Sequence, residues 1–479
     1  MKTKKIVALM LSLAMVLGAV AACSKDEAKD TTAAKADESA AKTEAPSETE
    51  APVDTEAPSD TEAPSETEPA GPANGDLSQF TENAVAQDVA DTGDTMMIYG
   101  WNDEFPGLVD KYWGGTYEKV LTESNSYQAK LDQVLASGED APDLFVCDAD
   151  YATKYMNSTD TIAINDLGIA YAELGEMYTY TLQFAADDAG VIKGLAWQAC
   201  PCGVFYNRTV AKETLGVSEP DEVQPFFATW DAFMDAAQKV SDASNGEKKI
   251  ISGTDDIWRA ILNSRTSGWI VNGKVNVDPV MGQYFDMART LKDNNLTFES
   301  SQWGDVWTAN MSNQSVLSYW GPMWLLNFCM GFQDDSNPTK GDWGLVKAPG
   351  DFFWGGTWMM ASKYCDNKKT AADIMRAIAL DEANLRDMTK TGEFVNSVSI
   401  MTDLASDSSY SVEYLGGQNP AAVLLAAATS IDNSTVGPND QEINDAFNAV
   451  VTSYLAGEIS SVSEAESVFA QNVAALGIV

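Results

Sequence analysis

The sequence predicts a mixed α/β fold, and three observations support this prediction. Strand and helix patterns alternate: residues 96–101 are typical of a first strand, residues 128–136 of a helix, and residues 143–147 of a short buried strand. Apolar residues make up 45% of the chain and charged residues 21%, as in globular proteins. The chain beyond residue 95 is also longer than one hydrophobic core usually serves, which favours two lobes.

Three further helices are indicated by apolar stripes that follow a capping signal. Thr229 precedes one stripe, and residues 370–373 and 463–466 each resemble a capping box ahead of another. Stripes of this kind are typical of core packing. We therefore do not count their residues as candidates for a functional site.

Residues 1–22 have the pattern of a secretory signal peptide. Lys2, Lys4 and Lys5 precede an apolar run at residues 6–22 that ends in small residues. The alternative is a short membrane anchor, but the run lies at the low end of the length needed to span a bilayer. We therefore expect this segment to direct export of the chain.

The end of this segment, Val20-Ala21-Ala22-Cys23, resembles the lipobox of bacterial lipoproteins. The resemblance implies that Cys23 carries acyl chains such as palmitate and becomes the mature N-terminus. Lasting anchorage needs more than one acyl chain. We expect a protein held by lipid at the extracellular face of the cytoplasmic membrane.

Residues 23–94 have the composition of a disordered, acidic, proline-rich stalk. The sequence Thr-Glu-Ala-Pro recurs at Thr43, Thr49, Thr55 and Thr61. A repeat this short, with proline and charge in every copy, has too few apolar side chains to form a hydrophobic core. Because proline favours extended backbone and the glutamates repel one another, we expect either a spacer that holds the domain away from the membrane or a passive linker.

The charge balance excludes several classes of function. The chain has 71 acidic and 30 basic residues, a net charge of −41, which argues against binding of nucleic acid and against a polybasic contact with anionic lipid. It has no histidine, which excludes histidine acid–base catalysis, Ser-His-Asp triads and His-ligated zinc. We expect no metal and no cofactor, and an enzyme would have to use carboxylates, Lys, Tyr or Cys.

The tryptophans are the strongest sign of a binding site. All 13 follow residue 100, and many stand beside Gly, Pro, Asn or Asp. A sugar ring stacks its apolar face on an aromatic ring while its hydroxyl groups bond to planar acceptors and donors, and such neighbours supply both. Core packing is the alternative for any one of them. The clusters begin at Trp101, Trp113, Trp303, Trp320 and Trp354.

Carboxylates and cysteines give weaker signals. The close carboxylates within 148–150 and 255–256 could serve a glycoside hydrolase, which needs two carboxyl groups across the scissile bond, but an acidic chain forms such pairs by chance. Of the 6 cysteines, those other than Cys23 are odd in number, and Cys200-Pro201-Cys202 is too tight for an easy disulfide. We expect free or buried thiols.

The order of motifs after residue 95 resembles the extracellular solute-binding lipoproteins of bacterial ABC transporters, specifically the large sugar-binding class. The resemblance extends to the C-terminus and rests on the order and spacing of the motifs together with the lipobox. The sequence departs from the family pattern at Cys200-Pro201-Cys202. We expect this departure to change only the local geometry where the chain crosses between lobes, and not the fold. The motifs are Tyr99-Gly100-Trp101-Asn102-Asp103, Tyr127-Gln128-Ala129-Lys130-Leu131, Ala141-Pro142-Asp143-Leu144-Phe145, Trp197-Gln198, Gly203-Val204-Phe205-Tyr206-Asn207, Gly321-Pro322 with Trp324, Trp343-Gly344-Leu345, Ala348-Pro349-Gly350 and Trp354-Gly355-Gly356.

The resemblance implies a two-lobed α/β fold like that of periplasmic binding proteins, with ligand in the cleft between the lobes. Lobe 1 would take residues 95–203 and 347–380, and lobe 2 residues 204–346 and 381–479. Carried over by position, the ligand contacts would be Trp101, Asp103, Asp148, Asp150, Tyr151, Trp197, Gln198, Trp320, Trp324, Trp354, Asp440 and Gln441. Weaker candidates are Asp256, Trp258 and Arg265.

We therefore expect a non-catalytic, monomeric receptor that closes around a carbohydrate, above all an oligosaccharide, and delivers it to the permease subunits of an ABC importer. Tryptophans would stack on sugar faces while Asp, Asn and Gln hold hydroxyl groups. Two alternatives stay open: a membrane-tethered glycoside hydrolase, and a surface adhesin that binds carbohydrate without a transporter.

Overall fold

The computed structural model describes residues 75–93, 95–331 and 336–479. The predicted signal peptide, the predicted lipidation site at Cys23 and the repeats of the predicted stalk lie outside these residues. All described residues fall within one unit of the chain, Thr67–Val479. Within it, strands and helices form a mixed α/β fold, as predicted.

The strands belong to a larger sheet, a smaller sheet and a short hairpin. In the described residues they are β1 (Met96–Gly100), β2 (Tyr117–Leu121), β3 (Leu144–Asp148), β4 (Gly194–Ala196), β5 (Gly203–Asn207), β6 (Ile270–Val271), β7 (Lys274–Val275), β8 (Ser318–Gly321), β9 (Trp343–Val346) and β10 (Thr357–Ala361).

The larger sheet has the order β2-β1-β3-β10-β4. β1 runs parallel to β2 and β3, whereas β10 runs antiparallel to β3 and β4. β3 and β10 are apolar and buried along almost their whole length, as expected for strands covered by helices on both faces. Since β1, β3 and β4 point the same way, their carboxyl ends share one edge of the sheet with the start of β10.

The smaller sheet has the order β8-β5-β9, with β5 antiparallel to both neighbours. The start of β5 therefore lies beside the ends of β8 and β9, so that Gly203 pairs with Gly321 and Val204 with Val346. The hairpin of β6 and β7 is separate from both sheets.

Helices cover both sheets. They are α1 (Glu104–Tyr112), α2 (Ser124–Ser137), α3 (Ala149–Met156), α4 (Thr179–Ala185), α5 (Arg208–Leu215), α6 (Pro220–Val223), α7 (Trp230–Ala243), α8 (Trp258–Asn263), α9 (Pro279–Asp293), α10 (Asp305–Asn310), α11 (Met323–Phe328), α12 (Lys368–Ala379), α13 (Glu382–Met388), α14 (Val398–Ser406), α15 (Pro420–Ala428), α16 (Asp440–Leu455) and α17 (Val462–Ala475).

One of the three predicted helix caps is confirmed. Thr229 caps α7, since its Oγ1 accepts a hydrogen bond from the N–H of Ala232 at 3.1 Å. The other two predicted caps are wrong, because α12 already begins after Asn367 and α17 after Ser461. In both cases the helix starts before the residue that the capping box suggested.

The packing of helices on the sheets defines two lobes. α1, α3, α4 and α12 contact the larger sheet, whereas α5 and α15 contact the smaller one. We call these the larger-sheet lobe and the smaller-sheet lobe, and the space between them the cleft. The residue limits given above for lobes 1 and 2 stay a prediction.

Two neighbouring segments carry the chain between the sheets. Residues 197–202 lead from β4 to β5, and residues 347–356 lead from β9 to β10. The segments pair with each other, and the N–H of Cys202 donates to the carbonyl oxygen of Phe352 at 2.9 Å. Cys200 has a φ of 52°, a left-handed conformation that few non-glycine residues adopt, so the Cys-Pro-Cys motif bends the crossover locally.

The end of the predicted stalk lies against the folded chain. The sequence placed residues 75–93 in a disordered spacer, but Phe80 packs on the hydrophobic core and a carboxylate oxygen of Asp91 accepts a hydrogen bond from the N–H of Thr370 at 3.0 Å. An aromatic ring that can be buried and a carboxylate that meets free N–H groups at a helix start are enough to hold this segment.

Candidate functional site

Four segments bring aromatic and polar side chains to the edge of the larger sheet that faces the crossovers. Trp101 follows β1, Asp148 ends β3 and Gln198 follows β4, all at carboxyl ends of strands that point the same way. Trp354 precedes β10, whose first residue Thr357 pairs with Asp148 across the antiparallel ladder. This edge is where open α/β sheets place their ligands.

The smaller-sheet side supplies the opposite wall of the cleft. Trp324 lies in the first turn of α11, just after β8 ends, Trp303 in the loop before α10 and Arg259 on α8. The two walls enclose a cavity of about 650 Å³, a size at which proteins hold small-molecule ligands. Its lining is Trp101, Asn102, Glu104, Ser124, Gln128, Asp148, Asp150, Tyr151, Gln198, Arg259, Trp303, Trp324, Phe328, Trp354, Gly355, Gly356, Thr357 and Gln441.

The structure brings most of the predicted contact residues together in this cavity. They come from strand ends, crossovers and helix starts that are far apart in the sequence. The predicted residues that line it are Trp101, Asp148, Asp150, Tyr151, Gln198, Trp324, Trp354 and Gln441. Their role in binding stays a prediction, but their convergence is a property of the fold.

Three indole rings form an aromatic cluster at the cavity wall, here called the cleft cluster (Trp303, Trp324 and Trp354). Trp303 stacks on Trp324 with ring centroids 6.0 Å apart, and Trp354 meets Trp324 edge to face at 4.8 Å. Trp324 Nε1 donates to the carbonyl oxygen of Trp354 at 3.0 Å. Trp303 is 60% exposed, so one member of the cluster presents its ring to solvent.

The glycine pair after Trp354 shapes this cluster. Gly355 and Gly356 have φ angles of 71° and 101°, a region that favours glycine. A Cβ atom on Gly355 would lie 3.1 Å from Nε1 of Trp324. The pair therefore lets the backbone turn into β10 while the indole of Trp324 approaches it closely. The sequence predicted a turn at the end of a strand here, whereas the turn precedes β10.

A second aromatic group stands on the larger-sheet side of the cavity. Trp101 packs edge to face against Tyr127 at 5.6 Å and against Tyr151 at 6.5 Å. Tyr127 is fixed by a hydrogen bond from its hydroxyl to the carbonyl oxygen of Val146 at 2.8 Å. Aromatic rings therefore line the cavity from both lobes.

An ion pair crosses the cleft. Arg259 Nη2 lies 2.8 Å from Oδ2 of Asp150, which begins α3 beside the larger sheet. The guanidinium group also lies 4.6 Å from the ring centroid of Trp354, and Nη1 donates to Gln302 Oε1 at 3.4 Å. Arg259 thus joins the two walls and places hydrogen-bond donors beside the cleft cluster.

Two carboxyl groups in the cavity have raised pKa values. Burial raises the pKa of Glu104 to about 7, although Gln198 donates a hydrogen bond to it at 3.3 Å. Burial also raises the pKa of Asp148 to about 7, and the charge of nearby Asp150 adds to the effect. Near neutral pH these groups can therefore donate as well as accept hydrogen bonds.

Trp197 and Trp320, which we expected to contact ligand, lie in the core instead. Each is 1% exposed. Trp197 stacks on Phe105 at 6.2 Å, and Trp320 stacks on Trp230 at 5.6 Å within a group that we call the core cluster (Phe227, Trp230, Phe233, Trp320 and Phe352). Trp320 lies within β8, and its ring packs among residues of α7 and its neighbours, away from the cavity.

Asp103 and Asp256 also lie outside the cavity. Asp103 is exposed and pairs with Lys119 at 2.6 Å on the surface. Asp256 is buried below the start of α8, where it accepts hydrogen bonds from Trp307 Nε1 at 2.6 Å and from the N–H of Ser252 at 2.9 Å. Its partners are turn and core groups, which gives it a structural role.

The remaining three candidates lie next to the cavity. Arg265 and Asp440 form a buried ion pair with Nη2 and Oδ2 3.1 Å apart, beside a small void of about 60 Å³ behind Trp354. Trp258 is mostly buried on Phe447, with ring centroids 5.3 Å apart, and lines a second cavity. These residues support the walls of the cleft.

Sequence reasoning missed several lining residues. Arg259 directly follows the weaker candidate Trp258, and Glu104 comes two residues after Asn102 at the start of α1. Trp303 stood in one of the noted tryptophan clusters, but no strand precedes it, so nothing placed it at a sheet edge. Phe328, 63% exposed at the end of α11, had no signal in the sequence.

In the described part of the chain, no group of three or more Cys, Asp or Glu side chains is arranged to hold a metal ion. The five cysteines found there, Cys147, Cys200, Cys202, Cys329 and Cys365, are free thiols. Within the described residues, no helix has the length and apolar character needed to cross a membrane.

Comparison with protein families gives a match over most of the chain. A family described as bacterial extracellular solute-binding protein matches residues 110–410. No curated protein matches the chain significantly.

Solved structures share the fold at low sequence identity. An extracellular solute-binding protein of family 1 has a TM-score of 0.69 and 19% identity over 80% of this chain and 99% of its own. An ABC transporter associated binding protein from B. animalis subsp. lactis in complex with β-1,6-galactobiose has a TM-score of 0.64 and 17% identity over 80% and 97%. The galacto-N-biose-/lacto-N-biose I-binding protein from Bifidobacterium longum in complex with lacto-N-biose has a TM-score of 0.62 and 18% identity over 81% and 98%. The fold is therefore the two-lobed one expected from the sequence.

Proposed function

Since this chain belongs to the family of bacterial extracellular solute-binding proteins, we propose that its solute is a carbohydrate, in the form of an oligosaccharide, which it delivers to the permease of an ABC importer. The observation that carries this proposal is the cavity in which indole rings stand beside carboxylate and amide groups. Aromatic faces and planar polar groups together match the two sides of a sugar ring.

The aromatic contribution comes from both walls of the cavity. Trp324 and Trp303 present stacked rings on one side, and Trp101 stands on the other with Tyr151. A flat, apolar C–H face that enters between them removes aromatic surface from water on both sides. Trp303 would lose the most exposed surface on binding, because only a ligand or closure of the cleft can cover its ring.

The polar contribution comes from Glu104, Asp148, Gln198, Gln441 and Arg259. Carboxylate, carboxyl, amide and guanidinium groups supply acceptors and donors, so a hydroxyl group that both donates and accepts finds a partner for each role. The raised pKa values of Glu104 and Asp148 add to this set of partners, because a protonated carboxyl group can both donate and accept a hydrogen bond.

Two relatives of similar fold are described with disaccharides bound, β-1,6-galactobiose in one and lacto-N-biose in the other. These ligands support a carbohydrate for this chain as well. They do not select a sugar or a linkage, because identity to both relatives is below 20%.

The proposed receptor is not a catalyst. Asp150 is held by Arg259 and the Asp148 carboxylate accepts a hydrogen bond from the N–H of Asp150 at 2.9 Å, as a helix cap does. The tethered hydrolase would instead use the raised pKa of Glu104 or Asp148 for general acid catalysis. Incubation with oligosaccharides separates the two, since cleavage products indicate the hydrolase and an intact ligand indicates the receptor.

The proposal includes a lipid anchor at Cys23 and a single subunit as the working unit. The Val-Ala-Ala-Cys motif and the repeats before residue 66 support a tether at the outer face of the cytoplasmic membrane. Cys23→Ala should move the protein from the membrane fraction to the medium or to unprocessed precursor. Acyl labelling that persists in this variant contradicts the anchor.

The central experiment is a binding screen. The purified full chain is applied to an array of defined oligosaccharides, and hits are measured by calorimetry. We expect saturable binding to one family of glycans, with a smaller radius of gyration in small-angle scattering as the cleft closes. A lack of binding to every glycan contradicts the proposed function, and an unchanged scattering curve at saturation favours the rigid adhesin.

A further inference from the structure

A second cavity continues from the cleft, and we call it the α16 groove. It has a volume of about 730 Å³, as large as the cleft cavity itself. Its walls are α16, α8, α9 and residues 299–303. Asp150, Arg259, Trp303 and Gln441 line both spaces, so the groove begins where the cleft ends.

One face of α16 forms the floor of the groove along almost the whole helix. Gln441, Asp445, Asn448, Thr452 and Leu455 all line it, and their spacing of three or four residues places them in one stripe. At about 1.5 Å of rise per residue, this stripe extends over roughly 20 Å. The groove is therefore long enough to follow an extended ligand out of the cleft.

Three polar side chains of this stripe have no partner in the described part of the chain, whereas the Thr452 hydroxyl donates to the carbonyl oxygen of Asn448 at 2.9 Å. Within residues 75–93, 95–331 and 336–479, the side chains of Gln441, Asp445 and Asn448 make no hydrogen bond or ion pair. On the facing wall, Oδ1 of Asp255 is buried, again without a hydrogen-bond partner among those residues. The buried Asp255 oxygen is the unusual one, because buried polar atoms without partners are uncommon in folded proteins and point to a ligand or water. Gln441 and Asn448 are half-buried and Asp445 is exposed, so their polar groups are open to a ligand in the groove.

Aromatic rings stand at the end of the groove that meets the cleft. Trp303 lines both spaces and stacks on Trp324, and Trp258 also lines the groove. Farther along, the lining becomes the polar stripe of α16 and ends in small and apolar residues. The groove thus repeats the chemistry of the cleft, with ring faces beside amide and carboxylate groups.

We propose that the α16 groove binds the part of an oligosaccharide that extends beyond the cleft, so that this receptor selects long chains over short ones. The inference rests on the proposed function and deepens it, because it assigns the length of the ligand. A short sugar fills the cleft alone, whereas a longer chain passes beside the Arg259–Asp150 pair and satisfies the free polar groups of α16.

The experiment compares chain length with occupancy of the groove. The probe is an array of length ladders of α- and β-linked glucans, galactans, mannans and xylans, applied to the full chain. We expect affinity to rise by about tenfold or more from the shortest to the longest bound member of one ladder, as extra hydrogen bonds form. Asn448→Trp fills the groove and should remove this gain while leaving the short members bound as before.

Ala449→Trp is the matched control, because residue 449 is exposed, follows on the same helix and does not line the groove. It should keep the dependence on length. Asp445→Ala tests the polar stripe without added bulk, and melting curves of all variants show whether the fold is kept. We expect Asp445→Ala to weaken only the long members.

The outcomes separate this inference from the proposed function. If no glycan binds, both are overturned. If glycans bind but affinity does not depend on length, or if Asn448→Trp and Asp445→Ala both keep the full gain with length, the carbohydrate receptor stands and the role of the α16 groove is overturned.

Discussion

Trp320 and Trp324 stand on either side of Gly321-Pro322, yet they belong to clusters with different surroundings. Trp320 is enclosed in the core cluster, where rings of α7 and of the crossover pack around it. Trp324 lies in the cleft cluster, where Trp303 is open to solvent. Similar aromatic composition therefore serves stability in one place and is available for binding in the other.

The difference lies in what surrounds each ring. In the core cluster the rings pack on one another, and the indole N–H of Trp320 donates to the buried Ser318 hydroxyl at 3.2 Å, so removal of a ring leaves a void. In the cleft cluster a guanidinium group covers Trp354, buried carboxyl groups stand across the cavity and one indole is exposed. A binding wall keeps surface and charge that a core would exclude.

The largest expected effect comes from the core cluster. Trp320→Ala should lower the free energy of unfolding by about 3–5 kcal/mol, because a large ring is lost from a closely packed interior. Urea unfolding measures this loss. Trp320→Phe, which keeps an aromatic ring, should lose much less, and a Trp320→Ala variant as stable as the wild type would place this residue outside the core.

The next largest effect is a pH dependence of stability, which we expect from the buried acids of the cleft and not from the core cluster. Folding raises the pKa of Glu104 from an ordinary value of 4.5 to about 7. The folded state therefore tolerates this side chain best when it is protonated. The stability gained in this way is fully present below pH 4.5 and is lost as pH rises through about 7. The free energy of unfolding should therefore fall over this window, by about 1–3 kcal/mol for this group.

Denaturant unfolding across this pH range tests the assignment. Glu104→Gln should flatten the decline in stability, because the amide does not ionise. Asp103→Asn is the control, since Asp103 is an exposed carboxylate close in sequence, and it should leave the slope unchanged. An unaltered slope in Glu104→Gln means that other groups cause the pH dependence.

Trp324→Ala should show the opposite balance to Trp320→Ala. We expect the affinity for the oligosaccharide found by the array to fall about tenfold, since stacking is worth roughly 0.5–1.5 kcal/mol beyond the area buried. Stability should fall much less than in Trp320→Ala. Calorimetry and melting on the same samples measure both, and a variant that melts early with full affinity removes Trp324 from the binding wall.

The smallest effect is expected for Trp303→Ala. Because this ring is 60% exposed, its removal should change the free energy of unfolding by only about 0.5 kcal/mol. Affinity should still fall, by about threefold, if ligand covers the ring. Val306→Ala, another exposed apolar residue nearby in sequence, serves as control, and equal affinities of the two variants indicate that Trp303 does not meet ligand.

Much of the site follows from the strand signals. The strand before Trp101 and the buried strand that ends at Asp148 were predicted, and carboxyl ends of parallel strands meet at one edge. The glycine pair after Trp354 indicated a backbone turn at the end of a strand, and the structure has a turn there before β10. The strands come from local patterns, whereas the choice of these residues as ligand contacts comes from the resemblance to solute-binding proteins.

Other features depend on contacts that no local pattern contains. Thr370 does not cap α12, because the helix already begins at Lys368, and Asp91 from the segment before the first strand accepts a hydrogen bond from the N–H of Thr370 in the first turn of the helix. Arg259 and Trp303 reach the cavity only because α8 and the loop before α10 pack across the cleft from the larger sheet.

The sequence by itself determined the α/β class and the early strands. It did so through periodicity and composition, which act over a few residues. The tertiary structure alone decided which tryptophans face the cleft, which acids are buried and where the α16 groove runs. Trp320 and Trp324 have similar neighbours in sequence, and only the packing of distant elements gives one a core and the other a cavity.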